Sequence, residues 1–386
     1  MERRRQKEDI TEGMYFKALG SNVDTVVVLG AGASRGDRMF EASAAPSPPP
    51  VDADFLQHIH LQGPTVSNVT AGLLAIAASE FGHIRGVGLE ELLTRIESRL
   101  WFASKRHYAG LHSDPSSASS TFRAEDEQRL RDAREVAVSV LANSLRPWAD
   151  IGGEFLAQSD HRDLVLALAP RDCIITFNYD TIVDRVLHDY RNNLWAPHLH
   201  MYLGQVPSVP RFWANTSPER PESDEGYDFR LLKMHGSVHF ERELAPDAPE
   251  LGSDSHWPGV ILSDGPVANE PVIVPPLLNK RLEASALFSG IWSCAHNYLL
   301  DAQAILIVGY SAPTTDFLAR ALLSARRKDA KQIHIVAIVN SNRQHADTAL
   351  NLIPKDRFHL ATRIAVFDRF SDLHSMTTPF DEAPIK

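Results

Sequence analysis

The stretch Thr25-Val26-Val27-Val28-Leu29-Gly30-Ala31-Gly32-Ala33-Ser34 decides the fold. Its first five residues are apolar or β-branched with no polar alternation, the pattern of a strand covered on both faces in a parallel sheet. The run leads straight into a glycine turn. Glycine there lets the backbone turn tightly and approach a pyrophosphate without a side chain in the way. Three more runs have the same character: residues 173–177 (CIITF), Ala304–Val308 (AILIV) and Ile333–Val339 (IHIVAIV), each ending near Gly, Asn or Ser. Helical spacing follows two of them, at Ile182, Val183, Val186 and Leu187, and at Phe317, Leu318, Ala321 and Leu322. Strand–helix alternation of this kind predicts an α/β, Rossmann-like, doubly wound and mainly parallel sheet.

The sheet is interrupted. About 140 residues separate the first two strands, far more than one crossover needs. Leu89, Leu92, Leu93, Ile96 and Leu100 share one helical face, and Leu130, Ala133, Ala137, Val140, Leu141 and Leu145 share another. We therefore expect a helical insert or lid over 53–170, with a Ser-rich mobile loop at 113–121. The nucleotide-binding domain is expected over 23–52 and 171–345, after an N-terminal segment 1–22. A C-terminal extension, 346–386, is expected to pack on the core. Polar, proline-bearing stretches at 205–227 and 243–270 read as long loops or a small irregular subdomain.

The chain has 386 residues, 44% hydrophobic and 23% charged, as in an ordinary soluble protein. Lys and Arg number 39 against 49 Asp and Glu, for a net charge of −10. That balance argues against wrapping nucleic acid by backbone neutralisation, and no sequence-specific nucleic-acid binding is expected. The N-terminal MERRRQKEDITEG leads into no apolar stretch of signal-peptide length, and no run approaches the roughly 20 residues that span a bilayer. Arg3, Arg4, Arg5 and Lys7 read as a solvated start. The cysteines are Cys173 and Cys294, too few for a disulfide framework or a four-cysteine zinc site. A soluble protein of the reducing cytoplasm is expected, without a metal.

Four constellations carry chemistry. The first is the glycine loop itself, in which Arg35 takes the third glycine position of G-x-G-x-x-G and no acidic residue follows about 20 positions on a second strand, which disfavours an ordinary dehydrogenase. Thr176-Phe177-Asn178-Tyr179-Asp180 ends the second strand. Asn178 offers a donor and an acceptor on a short side chain, while Asp180 suits either ligand contact or the N-cap of the next helix. In Lys233-Met234-His235-Gly236-Ser237 the histidine reads as exposed on a flexible turn, able to take a proton near neutral pH. Last come Gly309-Tyr310-Ser311, Pro313-Thr314-Thr315-Asp316 and Asn340-Ser341-Asn342, strand-end groups suited to an adenosine and its phosphates, with Thr315 or Asp316 also read as an N-cap.

In this order the four resemble the sirtuin superfamily, over roughly 26–34, 174–187, 231–240 and 272–342. The resemblance implies NAD as the ligand. Gly30, Ala31, Gly32 and Ser34 match the phosphate-binding G-A-G-x-S loop. Asn178 and Asp180 match the N-x-D motif that orients water and holds the nicotinamide ribose. His235 matches the general base. Gly309 and Ser311 match the G-T-S motif on the adenosine side, with Tyr310 replacing its threonine. Asn340 matches the asparagine of the adenosine ribose, and Asp316 joins this set. Two departures matter. The four-cysteine zinc module of the deacylases is absent, and Arg35-Gly36-Asp37-Arg38 replaces the G-I-P-D-F-R continuation. In these respects the chain is similar to the divergent sirtuin-like NADases of bacterial anti-phage defence. The resemblance implies an NAD glycohydrolase that yields nicotinamide and ADP-ribose, with Asn178 and His235 catalytic. It also implies a homo-oligomer, with a HerA-type ATPase as the partner. The alternatives are an NAD-dependent protein deacylase and a non-catalytic sensor of NAD or ADP-ribose.

Overall fold

The computed structural model describes residues 24–42, 44–50, 55–56, 68–83, 85–108, 118–169, 171–191, 229–242, 260–263, 267–268, 271–274 and 286–375. The unbroken apolar runs form the centre of the sheet. β1 (Thr25–Leu29) is wholly buried, as is β2 (Cys173–Thr176), which ends one residue before the run does. β3 (Arg230–Lys233) lies on the far side of β2, in parallel register. The antiparallel trio β4 (Gly236–Arg242), β5 (Val260–Leu262) and β6 (Pro271–Ile273) forms a second sheet in the order β5-β4-β6. On the other side of β1 come β7 (Ala304–Val308), β8 (Ile333–Val339) and β9 (Phe358–Phe367). The main sheet therefore runs β3-β2-β1-β7-β8-β9, with every pairing parallel. This is the doubly wound Rossmann-like order. The strand sequence reverses direction between β1 and β7, where open sheets of this kind form a crevice beyond their carboxyl ends.

Helices fill the crossovers. α1 (Ala31–Arg35) is a single turn after β1 and is followed by a 3-10 turn, Arg38–Glu41. α2 (Asn68–Phe81), α3 (Leu89–Tyr108) and α4 (Ala118–Ala149) lie within the expected insert. Leu92, Leu93 and Ile96 of α3 are fully buried, and Ala133, Ala137 and Leu141 of α4 nearly so, as their spacing requires. α5 (Gly153–Leu156) and α6 (Asp160–Ala167) lead to β2, and α7 (Ile182–Tyr190) follows it. α8 (Ala286–Asp301), α9 (Phe317–Leu323) and α10 (Arg343–Leu352) complete the described helices. The sheet continues beyond residue 345: β9 adds a sixth parallel strand, and a 3-10 turn, Phe370–Ser375, follows it. Most of the Ser-rich loop, the stretch 205–227 and the N-terminal segment lie outside the described residues, as does most of 243–270, in which β5 falls. No helix among the described residues is long and apolar enough to cross a membrane.

Candidate active site

All six parallel strands send the residues just past their carboxyl ends into one cavity of about 830 Å³. Gly30 and Ala31 come from β1, Asn178 and Asp180 from β2, and His235 from β3. Gly309, Tyr310 and Ser311 come from β7, Asn340 from β8 and Asp368 from β9. A volume of this size with a few convergent polar groups suits a small-molecule site. Leu89 of α3 and Leu141 and Leu145 of α4 wall it, with Phe55 beside them and Arg369 and Phe370 from the C-terminal turn. α3 and α4 belong to the stretch expected as a helical insert or lid, although no sequence signal singled out the side chains that line the cavity, and 368–371 gave none at all.

The glycines of the first loop have a purpose the sequence reading did not reach. A Cβ on Gly30 would stand 2.5 Å from Tyr310 Cα, and one on Gly32 would stand 2.8 Å from the Gly309 carbonyl. Gly309, at φ +62°, would drive a Cβ to 2.0 Å from the Ala33 amide nitrogen. The Gly30 and Gly32 amides donate to the Val308 and Gly309 carbonyls at 2.9 and 3.0 Å. These glycines interlock the β1 and β7 loops, so two of the amides expected to cradle a pyrophosphate already have partners within the protein. Ala31 is exposed on the cavity side, where a ligand can lie against it.

Ser34 does not line the cavity. It is 1% exposed and stands behind the wall, where its Oγ donates to Asp180 Oδ2 at 2.8 Å and accepts from Asn178 Nδ2 at 3.0 Å. A direct phosphate contact from Ser34 is thus replaced by a structural bridge. The bridge fixes the Asn178 amide. With Nδ2 turned to Ser34, the carbonyl Oδ1 is buried without a hydrogen-bond partner. Thr181, not Asp180, is the N-cap of α7; Asp180, one residue earlier, divides its two oxygens between Ser34 and the Ile182 amide at 3.1 Å, so it supports both the first turn and Asn178. Ligand contact is also open to it, since it borders the cavity.

His235 is not exposed on a flexible turn; it is 2% exposed. Gly236, at φ +77°, lies where a Cβ would come within 2.1 Å of the Val272 carbonyl, so the glycine serves tight packing against β6. The chain turns directly from β3 into β4, and the His235 carbonyl accepts from the Val274 amide at 2.9 Å. Its Nε2 lies 3.0 Å from Asp316 Oδ2, both side chains being buried. Asp316 Oδ1 meanwhile caps α9 by accepting from the Ala319 amide at 3.3 Å. Phe177 meets the His235 ring edge-on at 5.2 Å and stacks on Tyr310 at 4.6 Å. Behind this wall, Lys233 donates to the Asp180 carbonyl at 2.5 Å and to Asp184 Oδ2 at 2.8 Å. Burial holds the nearby His239 neutral, with its pKa near 4, against the pull of Asp184. Asn340 Nδ2 donates to the Tyr310 carbonyl at 3.3 Å, and its Oδ1 accepts from the Asn342 amide, so this residue ties the β7 and β8 loops together.

No protein-family model matches the chain, and no curated protein matches it. Among solved structures, a mutant Sir2 homologue in complex with 2'-O-acetyl ADP ribose is similar at 13% identity and a TM-score of 0.34, covering 94% of this chain and 95% of that one. A Sir2 homologue–NAD complex is similar at 10% identity and a TM-score of 0.29, covering 94% and 92%. Likenesses this low carry no argument about ligand or activity, and the fold assignment rests on the parallel strand order β3-β2-β1-β7-β8-β9 of this chain itself.

Proposed function

We propose that the cavity binds NAD and that the protein hydrolyses its nicotinamide–ribose bond, giving nicotinamide and ADP-ribose. The observation that carries this reading is Asn178, whose Oδ1 is buried at the cavity wall with no hydrogen-bond partner. Leaving such an acceptor unmet costs about 1–3 kcal/mol. A ribose hydroxyl or an attacking water would relieve that cost. The nicotinamide of NAD is already a cationic leaving group, so its departure needs little acid assistance. The protein's task is to hold the ribose, stabilise the developing charge and deliver water.

In the proposed step the glycosidic C–N bond breaks and its electron pair stays with nicotinamide. Water forms the new C–O bond at the anomeric carbon, and its proton passes to His235. Asn178 Oδ1 orients the water or a ribose hydroxyl. Asp316, close to Nε2, holds the imidazole so that Nδ1 carries the basic lone pair, as a buried carboxylate does for the histidine of a catalytic triad. The pyrophosphate runs past Ala31 and Gly32, and the adenosine lies toward Gly309, Ser311 and Asn340. α3 and α4, which wall the cavity through Leu89, Leu141 and Leu145, act as a lid that excludes water from the reacting centre.

The test is nicotinamide release from NAD by the purified chain, followed by chromatography. Asn178→Ala and His235→Ala are each expected to lower turnover roughly 10²–10⁴-fold, beyond any loss of folded protein. Wild-type turnover in either variant overturns that residue's role, and the absence of NAD binding overturns the reading. The resemblance alone supports the biological setting: NAD depletion in anti-phage defence by a homo-oligomer, restrained until it assembles with a HerA-type ATPase. Light scattering and NAD loss with and without such a partner test this. A monomer that is fully active by itself argues against it.

A further inference from the structure

We propose that Tyr310 is a ligand-binding residue whose phenolic O–H donates a hydrogen bond to a ribose or phosphate oxygen of the bound dinucleotide. The inference rests on reading the cavity as an NAD site, and it concerns the side chain that stands where the G-T-S motif has threonine. Tyr310 follows β7, at the point where the strand order reverses, and it lines the cavity. Its ring is held on one face by Phe177, stacked at 4.6 Å with planes 19° apart. Gly309, in a left-handed conformation, sets the backbone, and the Tyr310 carbonyl is tied to Asn340 Nδ2. The side chain is thus fixed in place and only 5% exposed.

Its hydroxyl, however, has no hydrogen-bond partner. Buried hydroxyls are ordinarily satisfied, because an unmet one loses its hydration without replacement. Phe at this position would keep the stacking and avoid that loss, so the oxygen has no packing role. Burial, with the charges of Asp316 and Glu90, pushes the phenol pKa well above its ordinary value, so the group stays protonated and can donate. Among the residues that line the cavity, Asn178 therefore keeps an unmet acceptor, Oδ1, and Tyr310 an unmet O–H, both buried. A sugar–phosphate ligand offers both complements, hydroxyls for the first and oxygen acceptors for the second.

Tyr310→Phe removes one oxygen and nothing else. The full-length wild type and variant are titrated calorimetrically with ADP-ribose, which lacks the nicotinamide–ribose bond, and their Tm values are compared. The expected result is affinity about ten- to a hundredfold weaker in the variant, the range for losing one hydrogen bond to a polar or charged group, with Tm unchanged or raised. Equal affinities overturn the assignment while leaving the NAD site standing. A fall in Tm of several degrees with unchanged affinity also overturns it, marking a structural hydroxyl. If wild type binds neither ADP-ribose nor NAD, the reading of the cavity fails and this proposal fails with it.

Discussion

A hydroxyl has one proton to give, and Ser34 gives its own to Asp180 Oδ2, so the Asn178 amide beside it can only donate to the serine oxygen. That direction leaves Asn178 Oδ1, and not Nδ2, as the atom without a partner. Ser34→Ala removes both bonds and frees the amide to turn over. Turnover of NAD is expected to drop about 10- to 100-fold, and stability by about 1–3 kcal/mol, as for removing one partner of buried polar groups. Nicotinamide release and urea unfolding read the two effects, and a variant with wild-type turnover would take Ser34 out of the mechanism. The sequence showed Ser34 as part of a G-A-G-A-S loop but could not show which way its side chain points. On the single turn of α1, Ala31 faces outward while Ser34 is buried, so the loop's one polar side chain serves the wall and not the ligand. His235 was misread for a related reason. Gly-Ser after a histidine reads as flexibility until the neighbour that demands the glycine, the Val272 carbonyl, is known.

At the scale of elements, the site depends on two loops in closer contact than side chains allow. Gly309→Ala adds a Cβ 2.0 Å from the Ala33 nitrogen at a φ of +62°, where an L-residue is already strained. We expect a loss of order 4 kcal/mol, seen as a collapse of soluble yield or of Tm, and far greater than for an exposed glycine. The buried Lys233–Asp184 pair gives a second test, because Lys233 also anchors the Asp180 carbonyl next to Asn178. Lys233→Met strands a buried carboxylate and should cost about 3–5 kcal/mol, whereas Lys233→Met with Asp184→Leu should recover most of it. Denaturant unfolding of the single and double variants measures the coupling between Lys233 and Asp184. The legibility of the strands follows from the same physics. β1, β2, β7 and β8 are covered on both faces, which demands unbroken Val, Ile and Leu, so all four were readable. β3 is four residues long with a basic residue at each end, and its Lys233 is buried because Asp184 and the Asp180 carbonyl meet it. β9 is an edge strand, with Leu360 fully exposed and Arg363 outward, and its mixed pattern resembles no buried strand.

At the scale of the whole molecule, the strand-end residues were legible and a helical insert or lid was expected, but which of its side chains reach the cavity was not. Leu141, Leu145 and Phe370 line the cavity although they lie more than a hundred residues from the glycine loop in sequence. The same is true of the link that holds the glycine loop's exit in place. Asp37 Oδ1 accepts from the Met39 and Asp160 amides at 2.9 and 3.1 Å. Its Oδ2 takes Ser159 Oγ and His161 Nδ1, each at 2.5 Å, and the His161 amide at 3.2 Å. One carboxylate thereby joins the turn after α1 to the start of α6. Burial by itself raises the Asp37 pKa and lowers that of His161, but their mutual bond and attraction outweigh it. Asp37 ends below its ordinary 3.8 and His161 above its ordinary 6.5, with Asp180 and Asp160 adding to the second shift. A raised histidine pKa contributes stability fully below pH 6.5 and loses it as pH rises through the folded value; a lowered aspartate pKa contributes above pH 3.8 and loses it as pH falls through its own. The pair should therefore stabilise most between about pH 4 and 6.5. Breaking it with His161→Leu should cost about 3–5 kcal/mol inside that window. The gap between wild type and variant should narrow steadily toward pH 9 as the wild-type imidazole loses its proton. Urea unfolding at several pH values measures that gap directly, and a difference that stays constant from pH 5 to 9 would mean that His161 is neutral in the folded protein and the clamp is not an ion pair.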